Sequence, residues 1–344
     1  SGDSYSYINR WATDGNDIYF DSHYYSSTES GYKLYKMSLT GVVSEMDLAS
    51  DDGSHIFNSN IYGLTSDGTD LFAGVYSSGS SIKFYRIALQ AGADGSHMVT
   101  PYTTEGEHLS YLNGFEKVGD SLLALYSNKI YEIELSGTSA TVSTVSVSGT
   151  DTDNSPTSYY FERMTSSGDA LYLSGSTSGG YSTMRPVFSV SLSAGDNGTT
   201  AEVTQINPTV TAASYYNTGT KISLQWFEGF TADGSTVYIA DSNNKLIRKI
   251  DLQTTNITTI AGKLENYADG TGQTAEFRYL NRMLRIGTDL YVLDDNRIRL
   301  VNSNTGEVTT LQISGDSYSH INRWATDGND IYFDSYSSTE SGYK

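Results

Sequence analysis

A short tetrad bounded by apolar residues recurs seven times along the chain. Its copies are Ile8-Asn9-Arg10-Trp11, Ile61-Tyr62-Gly63-Leu64, Leu112-Asn113-Gly114-Phe115, Phe161-Glu162-Arg163-Met164, Phe227-Glu228-Gly229-Phe230, Leu280-Asn281-Arg282-Met283 and Ile321-Asn322-Arg323-Trp324. Successive copies lie 53, 51, 49, 66, 53 and 41 residues apart, and the seventh stands 313 residues after the first. A period of this length marks a repeat architecture, in which a unit buries its apolar surface only against its neighbours.

Within each unit the alternation of side chains has a period of two, and turn residues punctuate it. After the tetrad a turn such as Thr13-Asp14-Gly15-Asn16 or Ala232-Asp233-Gly234-Ser235 leads into a second apolar run. Those runs are 17–21, 70–74, 121–125, 170–174, 236–240 and 289–293. Asp-Gly and Gly-Asp pairs between such runs are tight hairpin signals. Third strands alternate apolar and polar residues at 33–39, 82–89, 129–135, 246–252 and 297–303. Thr- and Val-rich fourth strands follow at 141–147, 201–207, 257–262 and 308–313. Four short strands repeated six times predict an all-β chain, a six-bladed β-propeller of four-stranded blades filling residues 1–313 as one domain. The polar stretches 149–158, 208–220 and 262–276 read as loops, since the repeat resumes after each.

The remaining residues, 314–344, restate 1–33. Once His23 and Tyr24 are passed over, 30 of 31 positions are identical, and the one difference is Tyr7 against His320. The blades share only a pattern, so duplication of the whole unit is recent compared with divergence of the blades. The copy predicts the first two strands of a repeated blade one, with Tyr318, Ile321, Trp324, Ile331, Tyr332 and Phe333 as apolar groups in need of a partner. Either the chain continues into another propeller, or this segment pairs with strands 34–48 of a neighbouring subunit.

Composition excludes several classes. Forty acidic against 21 basic residues give a net charge of −19, the opposite of a nucleic-acid footprint. Without cysteine there are neither disulfides nor thiolate metal sites. No run of about 18 apolar residues is present to cross a bilayer as a helix. With 28 tyrosines, 33 glycines and abundant Ser and Thr, the chemistry points to an extracellular or cell-surface protein.

Residues 232–262, together with 267–283 and 289–311, resemble NHL-repeat propellers, with their Ala-Asp-x-x-Asn-x-Arg-Ile-Arg-Lys-like strand pair, Val-Thr-Thr strand and Ala-Asp-Gly-Thr-Gly loop. The resemblance is full in units five and six and fainter in units one to four. It implies a six-bladed propeller fold without fixing an activity. Related six-bladed propellers of the sugar-lactonase type hold a divalent cation in the central channel. By that likeness Asn9, Asn113, Glu162, Glu228 and Asn281 are candidate channel ligands, and Ca2+ is the cation suited to such hard oxygen donors. Equally open is the reading that these residues are polar because a channel is wet, with Arg10, Arg163 and Arg282 pairing the acids.

The acid clusters Asp241-Ser242-Asn243-Asn244 and Asp294-Asp295-Asn296 read as ordinary hairpin turns. His23, His55, His97, His108 and His320 share no metal-ligand spacing, and neither a nucleophile elbow nor a phosphate loop is present. No catalytic residue is assigned. The sequence favours a structural protein: a propeller bead joined head-to-tail with copies of itself in an extracellular filament or tandem array, with cell-surface or matrix components as further partners. The alternative is a soluble enzyme or ligand binder built around a channel cation.

Overall fold

The computed structural model describes residues 5–13, 17–25, 30–38, 43–50, 59–77, 79, 81–148, 159–177, 186–195, 198–206, 209–210, 224, 227, 229–263, 267–295, 297–311, 320–326, 331–337 and 342–343. They form seven sheets, and a single 3-10 turn, Gly272–Thr274, is the helical structure among them. No helix among the described residues is long and apolar enough to cross a membrane.

The first sheet is the meander β1 (Tyr5–Thr13), β2 (Asp17–Tyr25), β3 (Ser30–Ser38) and β4 (Val43–Glu45). The second contains β5 (Leu48–Ser50), β6 (Ile61–Ser66), β7 (Asp70–Ser77), β8 (Ser81–Ala88) and β9 (His97–Pro101). The third contains β10 (Thr103–Gly106), β11 (Gly114–Val118), β12 (Ser121–Tyr126), β13 (Lys129–Ser136) and β14 (Ser139–Thr144). The fourth contains β15 (Ser146–Ser148), β16 (Tyr159–Ser167), β17 (Ala170–Thr177), β18 (Val187–Gly195) and β19 (Gly198–Ile206). The fifth contains β20 (Thr209–Val210), β21 (Gly229–Asp233), β22 (Thr236–Asp241), β23 (Leu246–Asp251) and β24 (Asn256–Ala261). The sixth contains β25 (Gly270–Thr271), β26 (Leu280–Ile286), β27 (Asp289–Asp294), β28 (Arg297–Asn302) and β29 (Glu307–Thr310). The seventh is β30 (His320–Thr326), β31 (Ile331–Ser337) and β32 (Gly342–Tyr343).

Six antiparallel four-stranded meanders therefore appear in sequence, as the repeat predicts, and the topology is that of an all-β propeller. Two details differ from the sequence reading. Sheets two to six each gain a fifth, outermost strand, taken from the segment just before the sheet's own meander. In sheets two to five it runs parallel to the fourth strand, as β5 does along β9 and β10 along β14. These pieces are two to four residues long and unpatterned, and they satisfy backbone groups at an otherwise bare edge. Second, the terminal copy forms three strands rather than two, because β32 adds a two-residue pairing to β31.

Two compact units emerge: Ser1–Val145 with Ser317–Lys344, and Ser146–Asp316. In both, the core lies between consecutive sheets, and this explains why the second strands are apolar without interruption. Successive residues of a strand face opposite ways, so each second strand feeds two interfaces at once. In the first unit Leu71 and Ala73 cluster with Tyr19 and Leu34 of the first sheet. Phe72, between them, clusters with Leu112 and Phe115 of the third. In the second unit Val237 and Ile239 pack with Tyr172 and Val187, while Tyr238 and Ala240 pack with Phe277 and Leu280. Each such side chain, fully buried, contributes about 1.5–3 kcal/mol. Among the second-strand residues Tyr19, Leu123, Leu171, Tyr238 and Ile239 are buried. Tyr291 is half-buried, and the Trp11 side chain lies outside the described residues.

In five of its seven copies the tetrad proves to hold a β-bulge. In a regular strand, residues i and i+3 point to opposite faces, so an apolar pair at that spacing would waste one of them. Here Ile61 stands opposite Val75 and Leu64 opposite Ala73, two partner positions apart, because one extra residue is inserted between them. The same count holds for Phe161 and Met164 against Gly175 and Leu173, and for Leu280 and Met283 against Asp294 and Val292. The bulge returns both apolar ends to one face. All six of these tetrad ends are buried. A glycine third residue lets neighbouring first strands approach: a Cβ on Gly63 would stand 2.7 Å from Phe115 Cβ, and one on Gly229 would stand 2.8 Å from Met283 Cβ.

Candidate assembly site

The repeated segment folds the second time as it does the first. On β30 and β31, Ile321 faces Ser335, Trp324 faces Phe333, Ala325 faces Tyr332 and Thr326 faces Ile331. On β1 and β2 the counterparts pair identically: Ile8 with Ser22, Trp11 with Phe20, Ala12 with Tyr19 and Thr13 with Ile18. The bulge falls in the tetrad in both hairpins. Even the single substitution is matched across the strands. Tyr7 stands opposite His23, whereas His320 stands opposite Tyr336, so one Tyr–His pair occupies this rung in either order. Tyr318 lies outside the described residues.

β2 is paired along its whole length with β3, from Asp17 opposite Ser38 to Tyr25 opposite Ser30. Among the described residues of the copy, Tyr336 and Ser337 of β31 meet β32, opposite Tyr343 and Gly342. That pairing continues the register of β2 on β3, where His23 meets Tyr32. Within its own unit the seventh sheet lies alongside β1.

The candidate channel ligands are placed only in part. Asn113, in the first unit, is exposed just before β11, and its backbone N–H donates to the Leu125 carbonyl at 2.8 Å. In the second unit Glu162 and Asn281 are half-buried in the bulges of β16 and β26. The Asn9 side chain and Glu228 lie outside the described residues. Among the described residues, no group of three or more His, Cys, Asp or Glu side chains could hold a metal ion.

The acid clusters read as turns hold two buried ion pairs that sequence reasoning missed. Asp241 closes β22 and accepts from Arg248 Nε at 2.8 Å, while Asn244 Nδ2 donates to both carboxylate oxygens at 2.9 Å. Asp294 closes β27; its Oδ1 accepts the backbone N–H groups of Arg278 and Tyr279, each at 2.8 Å, and its Oδ2 accepts from Arg299 Nη1 at 2.8 Å. Arg299 also donates to the carbonyls of Glu276 and Ala268 and to Asp269 Oδ1, at 3.0, 2.7 and 3.1 Å. Both arginine side chains are at most 2% exposed. Burial pushes both carboxyls above the ordinary value, and the arginines and N–H donors pull against it. These pairs pin hairpins and loops. The signal was the arginine three residues into each third strand, an inward place that a carboxylate alone makes tolerable.

No family model matches the chain, and no curated protein matches it. Among solved structures, Sqt1 of Chaetomium thermophilum is similar at 11% identity and a TM-score of 0.48, over 89% of this chain and 72% of that one. AztD of Citrobacter koseri aligns at 10% identity and a TM-score of 0.42, over 88% and 70% of the two chains. A chain of a nidogen/laminin complex aligns at 12% identity and a TM-score of 0.44, over 80% and 89%.

Proposed function

We propose that this protein is a structural bead, an NHL-like propeller that associates head-to-tail with copies of itself at the cell surface or outside the cell. One observation carries the reading: the terminal copy folds in the register of the first hairpin, so the chain presents the same hairpin twice. A head-to-tail contact of this kind propagates without closing, which is the geometry of a filament. The acidic, Tyr-, Ser- and Gly-rich composition supports an extracellular setting, and the large net charge keeps long assemblies soluble. The test compares residues 1–344 with a version ending at Ile313 by light scattering and electron microscopy. The longer chain should form concentration-dependent oligomers and the shorter should not. Two monomers of equal stability would remove the assembly role.

A further inference from the structure

We propose that three exposed tyrosines, Tyr111, Tyr160 and Tyr279, each with the Asn or Glu two places later, are binding sites for a neutral saccharide, one to a blade. Binding at these pairs is independent of the self-association proposed above.

The pattern begins in the sequence. In five of the first six repeats the tetrad is preceded by an aromatic residue and carries Asn or Glu as its second member, at 7–9, 111–113, 160–162, 226–228 and 279–281. Aromatic residues are 12% of the chain, so composition alone does not place one there five times. The second repeat departs, with Asn60 where the ring would stand. The side chains at 7, 9, 226 and 228 lie outside the described residues. At the other three places the ring is not a core residue. Five large apolar side chains are exposed among the described residues, and three of them are Tyr111, Tyr160 and Tyr279, at 41, 51 and 50%. The middle residue of each triplet, Leu112, Phe161 or Leu280, is buried. Asn113 is exposed, and Glu162 and Asn281 are half-buried. The apolar middle thus anchors the triplet and leaves a ring and a polar group accessible on either side of it.

The rings are also held in place. Tyr111 meets Tyr126 edge-on, with 4.7 Å between centroids, and the Tyr126 hydroxyl lies 3.1 Å from Ser110 Oγ. Tyr160 is fixed on β16 by its pairing opposite Ser176. Tyr279 donates its backbone N–H to Asp294 Oδ1 and accepts from the Asp295 N–H, both at 2.8 Å, and Lys245 Nζ stands 5.9 Å from its ring centroid. A ring ordered in advance loses little freedom when a ligand settles on it.

Chemistry selects the occupant. A flat apolar face beside an amide or carboxylate suits a molecule with both C–H faces and hydroxyl groups, which describes a sugar ring. Asn and Glu supply the acceptor oxygens that hydroxyls need. A net charge of −19 disfavours polyanions and leaves neutral glycans unopposed.

The same charge carries the protein through a native gel, where retardation by an embedded polymer reports binding. The full chain is run through gels holding hydroxyethylcellulose, glucomannan or glycol chitin, with polygalacturonate as the anionic arm. We expect retardation in a neutral polymer. Tyr111→Ala, Tyr160→Ala and Tyr279→Ala should each lower it, and the triple variant should lower it by about 2-fold or more, since sites on one chain add or reinforce one another. Phenylalanine at the same three positions keeps the rings and should keep binding. Met98→Ala, exposed but outside the pattern, should change nothing. These two controls separate loss of the ring from loss of the fold. No retardation in any neutral polymer, retardation in polygalacturonate alone, or an unchanged triple variant would overturn the proposal. Loss of light-scattering oligomers in the alanine variants, with the gels unchanged, would also overturn it and assign the rings to a protein contact.

Discussion

Replacing Arg299 by methionine keeps most of the side-chain volume and removes every polar contact it makes. The guanidinium bridges β27 through Asp294, the loop before β26 through the Glu276 and Ala268 carbonyls, and Asp269, which in turn accepts from Thr310. Arg299→Met leaves Asp294 with no cation, in a site where its side chain is 0% exposed. Breaking a buried pair from one side costs about 3–5 kcal/mol. For a unit of this size each kcal/mol moves the midpoint by about 2–4 °C, so the melting temperature should drop by roughly 6–20 °C. Asp294→Asn should cost less, because the amide oxygen still accepts from Arg278 and Tyr279 and because Asp269 still faces the arginine. The double variant should recover part of the Arg299→Met loss, since neither charge is then buried alone. Urea unfolding followed by circular dichroism measures all three. An Arg299→Met cost below about 1 kcal/mol, the size of an exposed ion pair, would refute the claim that this guanidinium organises the sixth sheet.

Three further outcomes follow from the packing and charges. Tyr238→Ala should cost about 3–5 kcal/mol by calorimetry, since a buried ring and its bond to Asp233 Oδ2 at 3.0 Å are lost. Gly63→Ala should cost about 1–3 kcal/mol in urea, because its methyl would meet Phe115 Cβ at 2.7 Å, whereas Gly79→Ala, in open space, should be nearly silent. Stability should pass through a maximum as pH falls, read as melting temperature against pH. Burial raises Asp70, Asp241 and Asp294 in the folded state, so folding binds protons there and stability grows as pH falls toward their range. Asp67 and Asp269 are lowered despite partial burial, by bonds from Thr69 and Thr310 respectively, and the stability they add is lost below their ordinary value of 3.8.

Much of the fold is legible in the sequence because short strands declare themselves through alternation and turn residues. The apolar runs at 121–125 and 236–240 became β12 and β22 with one residue added. The tetrad was visible but its cause was not, since a bulge is a relation between two strands and only the register shows that Leu280 and Met283 share a face. The fifth strands were silent because Leu48–Ser50 owes its conformation to the edge of β9 rather than to its own pattern. Arg248 and Arg299 were missed for a similar reason. On an alternating strand an arginine reads as solvent-facing, and only the carboxylate at the end of the preceding strand turns it inward. At the assembly segment the duplication was plain from the letters alone, while the shared register of the two hairpins needed the pairings.

The outermost strands also give the molecule a direction. β5 leaves the first sheet to cap the second, β10 leaves the second to cap the third, and β20 and β25 do the same for the fifth and sixth. Each meander from the second to the sixth thus inherits its lid from the polypeptide already made. During synthesis a newly finished sheet is sealed as soon as its fourth strand emerges, without waiting for anything downstream. Damage is correspondingly lopsided: a protease cut that strips sheets from the carboxyl side leaves the lids of the surviving second and later sheets in place, whereas the same cut from the amino side strips the lid from the first sheet that remains.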